Sequence, residues 1–309
     1  MNEPSLLERR QERIADITAE ISMIKTADGA ALALTRIPTK QGANPAGPVI
    51  LLHGNYSKRN FWISPGGVGL ARFLSESGWD AWIPELRGHG LSPKTQAYAK
   101  ITAEDQIRHD LPAIQDYVMS ATGRKPFWIA HSFGGVYLYF SLAAGWIPPD
   151  GIRGMAVLGS QFTEGEKYLK VPPLEWICRG ILRAIGHFPA PRFGMGPEPE
   201  PAATMIEIIK WKSLFGSPVN SEGFDYRRGF PRITAPILAL AGAADDNDPP
   251  KGCRFAVDLA GSADKRFIVL GRAEGFSKDY DHTGMIIAKE ARIEVWPLIE
   301  GWMRERTKA

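Results

Sequence analysis

The sequence predicts an α/β fold: a mostly parallel, twisted sheet covered by helices, with a helical cap inserted late in the chain. Three observations carry this expectation. Short, continuous apolar runs bounded by turn residues alternate with helical patterns, as buried parallel strands do between their crossovers. Gly 32 and Pro 24 among 309 residues suit many tight loops between short elements. The alternation fails once, between Ser160 and Ile233, over about 70 residues, too long for a simple loop. The expected division is a core of residues 1–160 and 234–309 with a helical cap, or lid, at 161–233.

The elements follow in order. Ser5 to Ile14 reads as a charged N-terminal helix. Ile21–Lys25 and Ala31–Thr35 flank Ala27-Asp28-Gly29, a hairpin signal. Pro48 to His53 has the form of a buried strand, Ser64 to Ser77 of a helix stopped by Gly78, and Trp79 to Pro84 of a second buried strand. Thr102 to Met119 carries Ile107, Leu111, Ile114 and Val118 at helical spacing. Pro126–His131 (strand), Phe133–Ala144 (helix) and Gly154–Gly159 (strand) continue the alternation. In the cap, Val171–Ile185 and Met205–Leu214 read as helices, and the Pro-rich stretch Pro189–Pro201 as irregular. Pro236–Ala241 and Arg266–Leu270 are two further strands, and Gly284–Arg304 closes the chain as a helix.

Composition narrows the function classes. With 44% hydrophobic and 23% charged residues, neither a disordered nor a fibrous protein is in view. Lys and Arg total 37 against 34 Asp and Glu, a net +3, too balanced for a dedicated nucleic-acid binder. Cys178 and Cys253 make no disulfide framework and no C-x-x-C pair. Residues 1–18 are charged throughout, without the apolar core of a signal peptide, and no run reaches the ~20 apolar residues of a membrane span. A cytoplasmic protein without integral membrane association is expected.

The sharpest local feature is Phe127-Trp128-Ile129-Ala130-His131-Ser132-Phe133-Gly134-Gly135. A serine stands between a strand and a helix, with small residues two before and two after it. A serine on such a sharp turn projects its hydroxyl out of the sheet, and bulk at Ala130 or Gly134 would clash across the turn. The following helix directs its first N–H groups to the same place, where an oxyanion can be held. The usual pattern is G-x-S-x-G, and here Ala130 takes the first position. An ordinary serine N-cap is the bland alternative.

With Leu52-His53-Gly54-Asn55, Arg87-Gly88-His89-Gly90, Ala241-Gly242-Ala243-Ala244-Asp245 and Asp281-His282, the chain resembles the α/β-hydrolase family from about Glu20 to Trp302. The capped serine esterase and lipase-like branch, with monoacylglycerol lipases and serine aminopeptidase-like hydrolases, is the nearest. The resemblance implies a nucleophile, acid and base in that chain order: Ser132, Asp245 and His282. Of six histidines, His282 alone follows the last strand, where the family places its base; His131 should point away. Asp245 has the family's spacing for the acid, with Asp246 the next choice. Asp246 and Asp248 otherwise read as residues of a solvated turn. The resemblance also implies an oxyanion hole from the backbone N–H of Phe133 and of Asn55, with Tyr56 the alternative to Asn55.

Phe61 and Trp62, close after that loop, are candidate pocket walls, and Tyr56 a substrate contact. Trp176, Phe188, Phe193, Trp211, Phe215, Phe224 and Phe230 of the cap line an acyl pocket or, more simply, form the cap's own small core. No H-x-x-x-H or H-E-x-x-H spacing suggests a metal, and the implied chemistry needs no cofactor. The expected substrate is a small ester with an apolar acyl group. An amidase, aminopeptidase, thioesterase, carbon–carbon bond hydrolase or acyltransferase would use the same residues. A peptidase would need fixed negative charge, for which Glu164, Glu166, Glu198 and Glu200 are available. A non-catalytic binding protein has no need of all three residues, and relatives that open epoxides or remove halides carry an aspartate where Ser132 stands.

Overall fold

A computed structural model describes residues 5–39, 45–164 and 171–307. Its nine-stranded sheet comprises β1 (Leu6–Ile14), β2 (Ile17–Lys25), β3 (Ala31–Ile37), β4 (Pro48–Leu52), β5 (Asp80–Glu85), β6 (Phe127–His131), β7 (Gly154–Leu158), β10 (Ile237–Gly242) and β11 (Lys265–Leu270). A two-stranded ribbon, β8 (His187–Phe188) and β9 (Glu200–Pro201), lies between β7 and β10 in the chain. The sheet order is β1-β2-β3-β5-β4-β6-β7-β10-β11, antiparallel from β1 to β5 and parallel from β5 onward. Strands β4, β6, β7 and β10 are buried along their whole length, which is why they read as unbroken apolar runs.

Helices cover both faces. On one, α3 (Leu111–Thr122) and α4 (Phe133–Ala144) pack Ile114, Val118, Val136 and Phe140 against Ile50, Trp128 and Met155. On the other, α1 (Leu70–Glu76) and α9 (Ala291–Glu305) pack Leu74, Val295 and Ile299 against Val49, Ile129 and Leu238. The remaining helices are α2 (Ala103–Asp105), α5 (Leu174–Ile185), α6 (Ala202–Lys212), α7 (Pro250–Leu259) and α8 (Gly284–Ile287). Between β7 and β10 the chain leaves the sheet for α5, the ribbon and α6.

Five expectations are corrected. Leu6–Ile14 is a strand and not a helix: Gln11 pairs with Glu20 and Arg10 with Ile21 across a turn in which Ala15 takes φ 52. An edge strand exposed along nearly its whole length needs no apolar face, and its charges discourage pairing with another sheet. Helix α1 starts only at Leu70, because Pro65-Gly66-Gly67 forms a turn closed by Gly67 N–H to Ser64 O. Helix 102–119 is not uniform, since Gln106–Asp110 is a π-helical stretch between α2 and α3. Pro112 has no N–H to return to the preceding turn, and the ladder widens there. The last helix is broken, α8 ending before Ala288 leaves the helical region at ψ 151. Finally, α7 fills a stretch for which no helix was expected.

The inserted segment is only partly packed. Trp211 and Phe230 join the core, whereas Trp176, Phe193 and Phe215 are exposed, so the aromatic residues do not form a single small core. Helix α5 turns Glu175 and Leu182 inward and leaves Leu174, Ile177, Ile181 and Ile185 outside. Glu166 lies outside the described residues.

Candidate active site

The candidate residues meet at the carboxyl ends of β4, β6 and β10, where open α/β sheets gather their ligands. Ser132 follows β6 with φ 55 and ψ −131, a region that a residue with a Cβ rarely enters. The turn is held by its surroundings: Ser132 N–H donates to Leu158 O at 2.9 Å, and the loop after β4 presses against it. A Cβ on Gly54 would come 2.8 Å from Ser132 Cβ, and one on Gly134 would meet the His53 carbonyl oxygen. Small residues are therefore required on both sides of the contact that brings Asn55 beside the start of α4.

His282, in the loop before α8, lies with Nδ1 2.8 Å from Asp245 Oδ2. The other oxygen of Asp245 accepts the amides of Asn247 and Asp248 at 3.1 and 2.9 Å, so the carboxylate is fixed at both ends. Asp245 is buried, while Asp246 points to solvent. Burial opposes charge on His282, but the Asp245 hydrogen bond and the nearby Asp248 outweigh it and hold the imidazole pKa above the ordinary histidine value.

Asp248 is the residue that sequence reasoning missed. It is buried, with Oδ2 3.4 Å from Ser132 Oγ and 3.7 Å from His282 Nδ1. Its Oδ1 accepts from Gln161 Nε2 at 2.6 Å, and Lys212 Nζ of α6 stands 4.0 Å away. Burial raises the Asp248 pKa, against the pull of Lys212 and His282. The solvated-turn reading of Asp248 is overturned by Gln161 and Lys212, which arrive from distant parts of the chain.

His131 also does more than point away. Its Nε2 bonds the His282 carbonyl oxygen at 2.8 Å and its ring lies 4.5 Å from that of His282. Burial and the neighbouring His282 keep its pKa well below the usual value, so it buttresses His282 as a neutral ring.

The loop after β4 is tied to the inserted segment. Tyr56, at φ 62, donates its N–H to Glu200 Oε2 at 3.0 Å. That amide is engaged, which favours Asn55 over Tyr56 as the second donor beside Phe133. The Asn55 side chain accepts from Tyr137 OH at 3.1 Å. Tyr56 turns its hydroxyl to Met205 Sδ, 3.3 Å away on α6. Glu200 is fully buried and also bonds His89 Nε2 at 3.2 Å. Glu198 takes Lys58 and Lys94 at 2.8 and 2.9 Å. Glu198 is thus neutralised by two lysines, whereas Glu200 engages Tyr56 and His89 through Oε2 and keeps Oε1 buried without a hydrogen-bond partner.

The pocket walls divide. Trp62 has 0% exposure and belongs to the core with Val49, Leu51 and Leu70, so it is no pocket wall. A loop gives side chains no fixed alternation, and closeness in sequence to the site did not set its direction. Phe61 is half-buried, its ring 4.6 Å from that of His131. A groove lined by Phe162, Trp211, Lys212, Leu214 and Phe255 opens beside the site, and Lys212 borders both, with its ammonium 4.8 Å from the Phe133 ring centre.

His53 and Arg87 serve the frame. His53 accepts the Leu86 amide through Nε2, and burial with His89 nearby lowers its pKa to about 3. Arg87 is clamped between Asp110, on the π-helical stretch, and Asp28. Asp28, Asp105 and His109 come close enough to share an ion, but Asp28 is already committed to Arg87.

A family model described as the α/β hydrolase fold matches residues 47–175. The chain is 32% identical over 132 residues to a tear acid lipase-like protein of Mesocricetus auratus, covering 38% of this chain and 33% of that protein. It is 28% identical over 149 residues to triacylglycerol lipase 2 of Arabidopsis thaliana, covering 44% and 35% respectively. The chain thus spans about a third of the length of these curated relatives. The crystal structure of Paleococcus ferrophilus monoacylglycerol lipase superimposes with a TM-score of 0.62 at 18% identity, over 89% of this chain and 99% of that one. That likeness is one of fold. Among the described residues no helix is long and apolar enough to cross a membrane.

Proposed function

We infer that this α/β-hydrolase of the lipase and esterase kind is a serine hydrolase that cleaves carboxylic esters through an acyl-enzyme on Ser132. The observation that carries the reading is the 2.8 Å contact of His282 Nδ1 with Asp245 Oδ2, beside a serine on a strained turn. Asp245 fixes the tautomer that leaves Nε2 free as a base. His282 takes the Ser132 proton as Oγ attacks the ester carbonyl. The resulting oxyanion is held by the amides of Phe133 and Asn55. Collapse expels the alcohol with the proton from His282. Water, activated by the same imidazole, then releases the acid and restores Ser132. No step calls for a cofactor.

The groove mixes Phe162, Trp211, Leu214 and Phe255 with Thr163, Lys212, Ser213 and Arg227, and its apolar side chains support an apolar acyl group, with residues 161–233 acting as a cap over the core and Tyr56 and Phe61 near the substrate. The lipase relatives point the same way. The pairing of Glu198 with Lys58 and Lys94, and the full burial of Glu200, weigh against an aminopeptidase, which would need an accessible carboxylate for its α-amino group. Two free cysteines fit a cytoplasmic location. Hydrolysis of nitrophenyl esters from short to long acyl chains tests the reading. Serine-dependent turnover with a chain-length optimum is expected, and a folded protein inert to the whole series would contradict it.

A further inference from the structure

We propose that Asp248 is a positioning residue of this site, a second carboxylate that acts on His282 together with Asp245. The proposal rests on the serine-hydrolase reading and deepens it. Asp248 Oδ2 accepts from Ser132 Oγ at 3.4 Å and lies 3.7 Å from His282 Nδ1, the ring nitrogen that Asp245 holds. At 2.8 Å Asp245 makes the orienting hydrogen bond, so Asp248 acts through its charge and through the serine hydroxyl it faces.

The position of Asp248 is built. Gln161 Nε2 donates to Oδ1 at 2.6 Å, the Asp248 amide donates to Asp245 Oδ1 at 2.9 Å, and Cys253 Sγ donates to the Asp248 carbonyl at 3.3 Å. Gln161 is itself fixed, because its Oε1 accepts the amides of Thr163 and Glu164 at 2.7 Å each. A carboxylate taken from water into such a place is costly unless neighbouring charge or donors compensate it. Here the compensation comes from Gln161, from Lys212, and from His282 once it is protonated.

The groups that face His282 come from three elements among the described residues. Asp245 and Asp248 lie on the loop between β10 and α7, Lys212 on α6, and His131 at the end of β6. When Ser132 Oγ bonds the ester carbon, the carbonyl π pair moves to oxygen and the serine proton moves to His282 Nε2. The imidazolium then forms beside two carboxylates, with Lys212 as a counterweight on the far oxygen of Asp248. Either carboxylate alone leaves the imidazolium less stable.

The test is an NMR titration of the His282 ring in the full chain, with His282→Gln to assign the signal. Asp248→Asn keeps the shape and the Gln161 bond, and should lower the His282 midpoint by about one unit, a tenfold loss of proton affinity. Lys212→Met should move it the other way. An unmoved midpoint in Asp248→Asn overturns the proposal. Should that variant fail to fold, Lys212→Met decides, and no upward shift there overturns it equally. Labelling of Ser132 by a fluorophosphonate separates the two claims. Resistance of wild type with the titrations as expected would sink the serine-hydrolase reading and leave the two-acid pairing of His282 standing.

Discussion

The carboxylate of Glu200 lies 3.0 Å from the backbone nitrogen of Tyr56, binding the inserted segment to the loop that follows β4. With His89 on the same oxygen, this buried contact fixes the peptide just beyond Asn55. The loop after β4, which carries the proposed oxyanion donor Asn55, is therefore set from two sides, by the close approach of Gly54 to Ser132 and by Glu200 from the inserted segment.

Removing that contact should affect stability and rate together. Glu200→Ala leaves the Tyr56 amide and His89 Nε2 unpartnered in a buried place, at a cost of about 3 kcal/mol. Calorimetry should show a lower melting temperature, and kcat should fall more than KM rises. Burial opposes charge on His89, but Glu200 holds its pKa above the usual value. That stabilisation is present in full below the unfolded histidine pKa of about 6.5 and is lost as pH rises through the folded one. The stability gap between wild type and variant should thus be widest in acid.

The two aspartates after β10 should separate cleanly. Asp245→Asn is expected to lower kcat/KM by about 10³-fold or more, as the imidazole loses its tautomer and its counter-charge. Asp246→Asn, altering an exposed carboxylate, should stay near wild type. Equal losses would reassign the acid.

Activity should rise with pH through the titration of His282, because only the neutral ring accepts the serine proton. Since its pKa is held above the ordinary value, the half-maximal point of kcat/KM should lie above about pH 6.5. A profile flat from about pH 5 to 8 would remove histidine from the mechanism.

Gly134, two residues after Ser132, offers a packing test. Gly134→Ala would drive a Cβ into the His53 carbonyl, a backbone atom that cannot yield without moving the Asn55 loop. A loss of about 1–3 kcal/mol with a fall in activity is expected. Gly180→Ala on α5, where a Cβ meets open space, should be neutral or stabilising by about 0.5–1 kcal/mol. Similar melting shifts in both would contradict this account of the turn.

What was legible in the sequence follows from which interactions are local. The turn around Ser132 declares itself because its requirements fall on neighbours, Ala130 and Gly134, and buried strands such as β4 and β6 need apolar residues at every position. Strand β1 is not legible because an exposed edge makes no demand for an apolar face. Asp245, Asp246 and Asp248 look alike in the chain. What sets Asp248 apart is Gln161 and Lys212, whose approach is tertiary. The same holds for Trp62, which turns into the core from an irregular loop, and for Tyr56, whose amide is claimed by a glutamate far along the chain.

The most direct test of the central claim is to trap the covalent intermediate. Wild type and Ser132→Ala would be mixed with a nitrophenyl ester, quenched during turnover and measured by intact and peptide mass spectrometry. A burst of nitrophenol and the mass of the acyl group on the peptide carrying Ser132 are expected, with neither in the variant. Undiminished turnover by Ser132→Ala, or an acyl group on another residue, would contradict it.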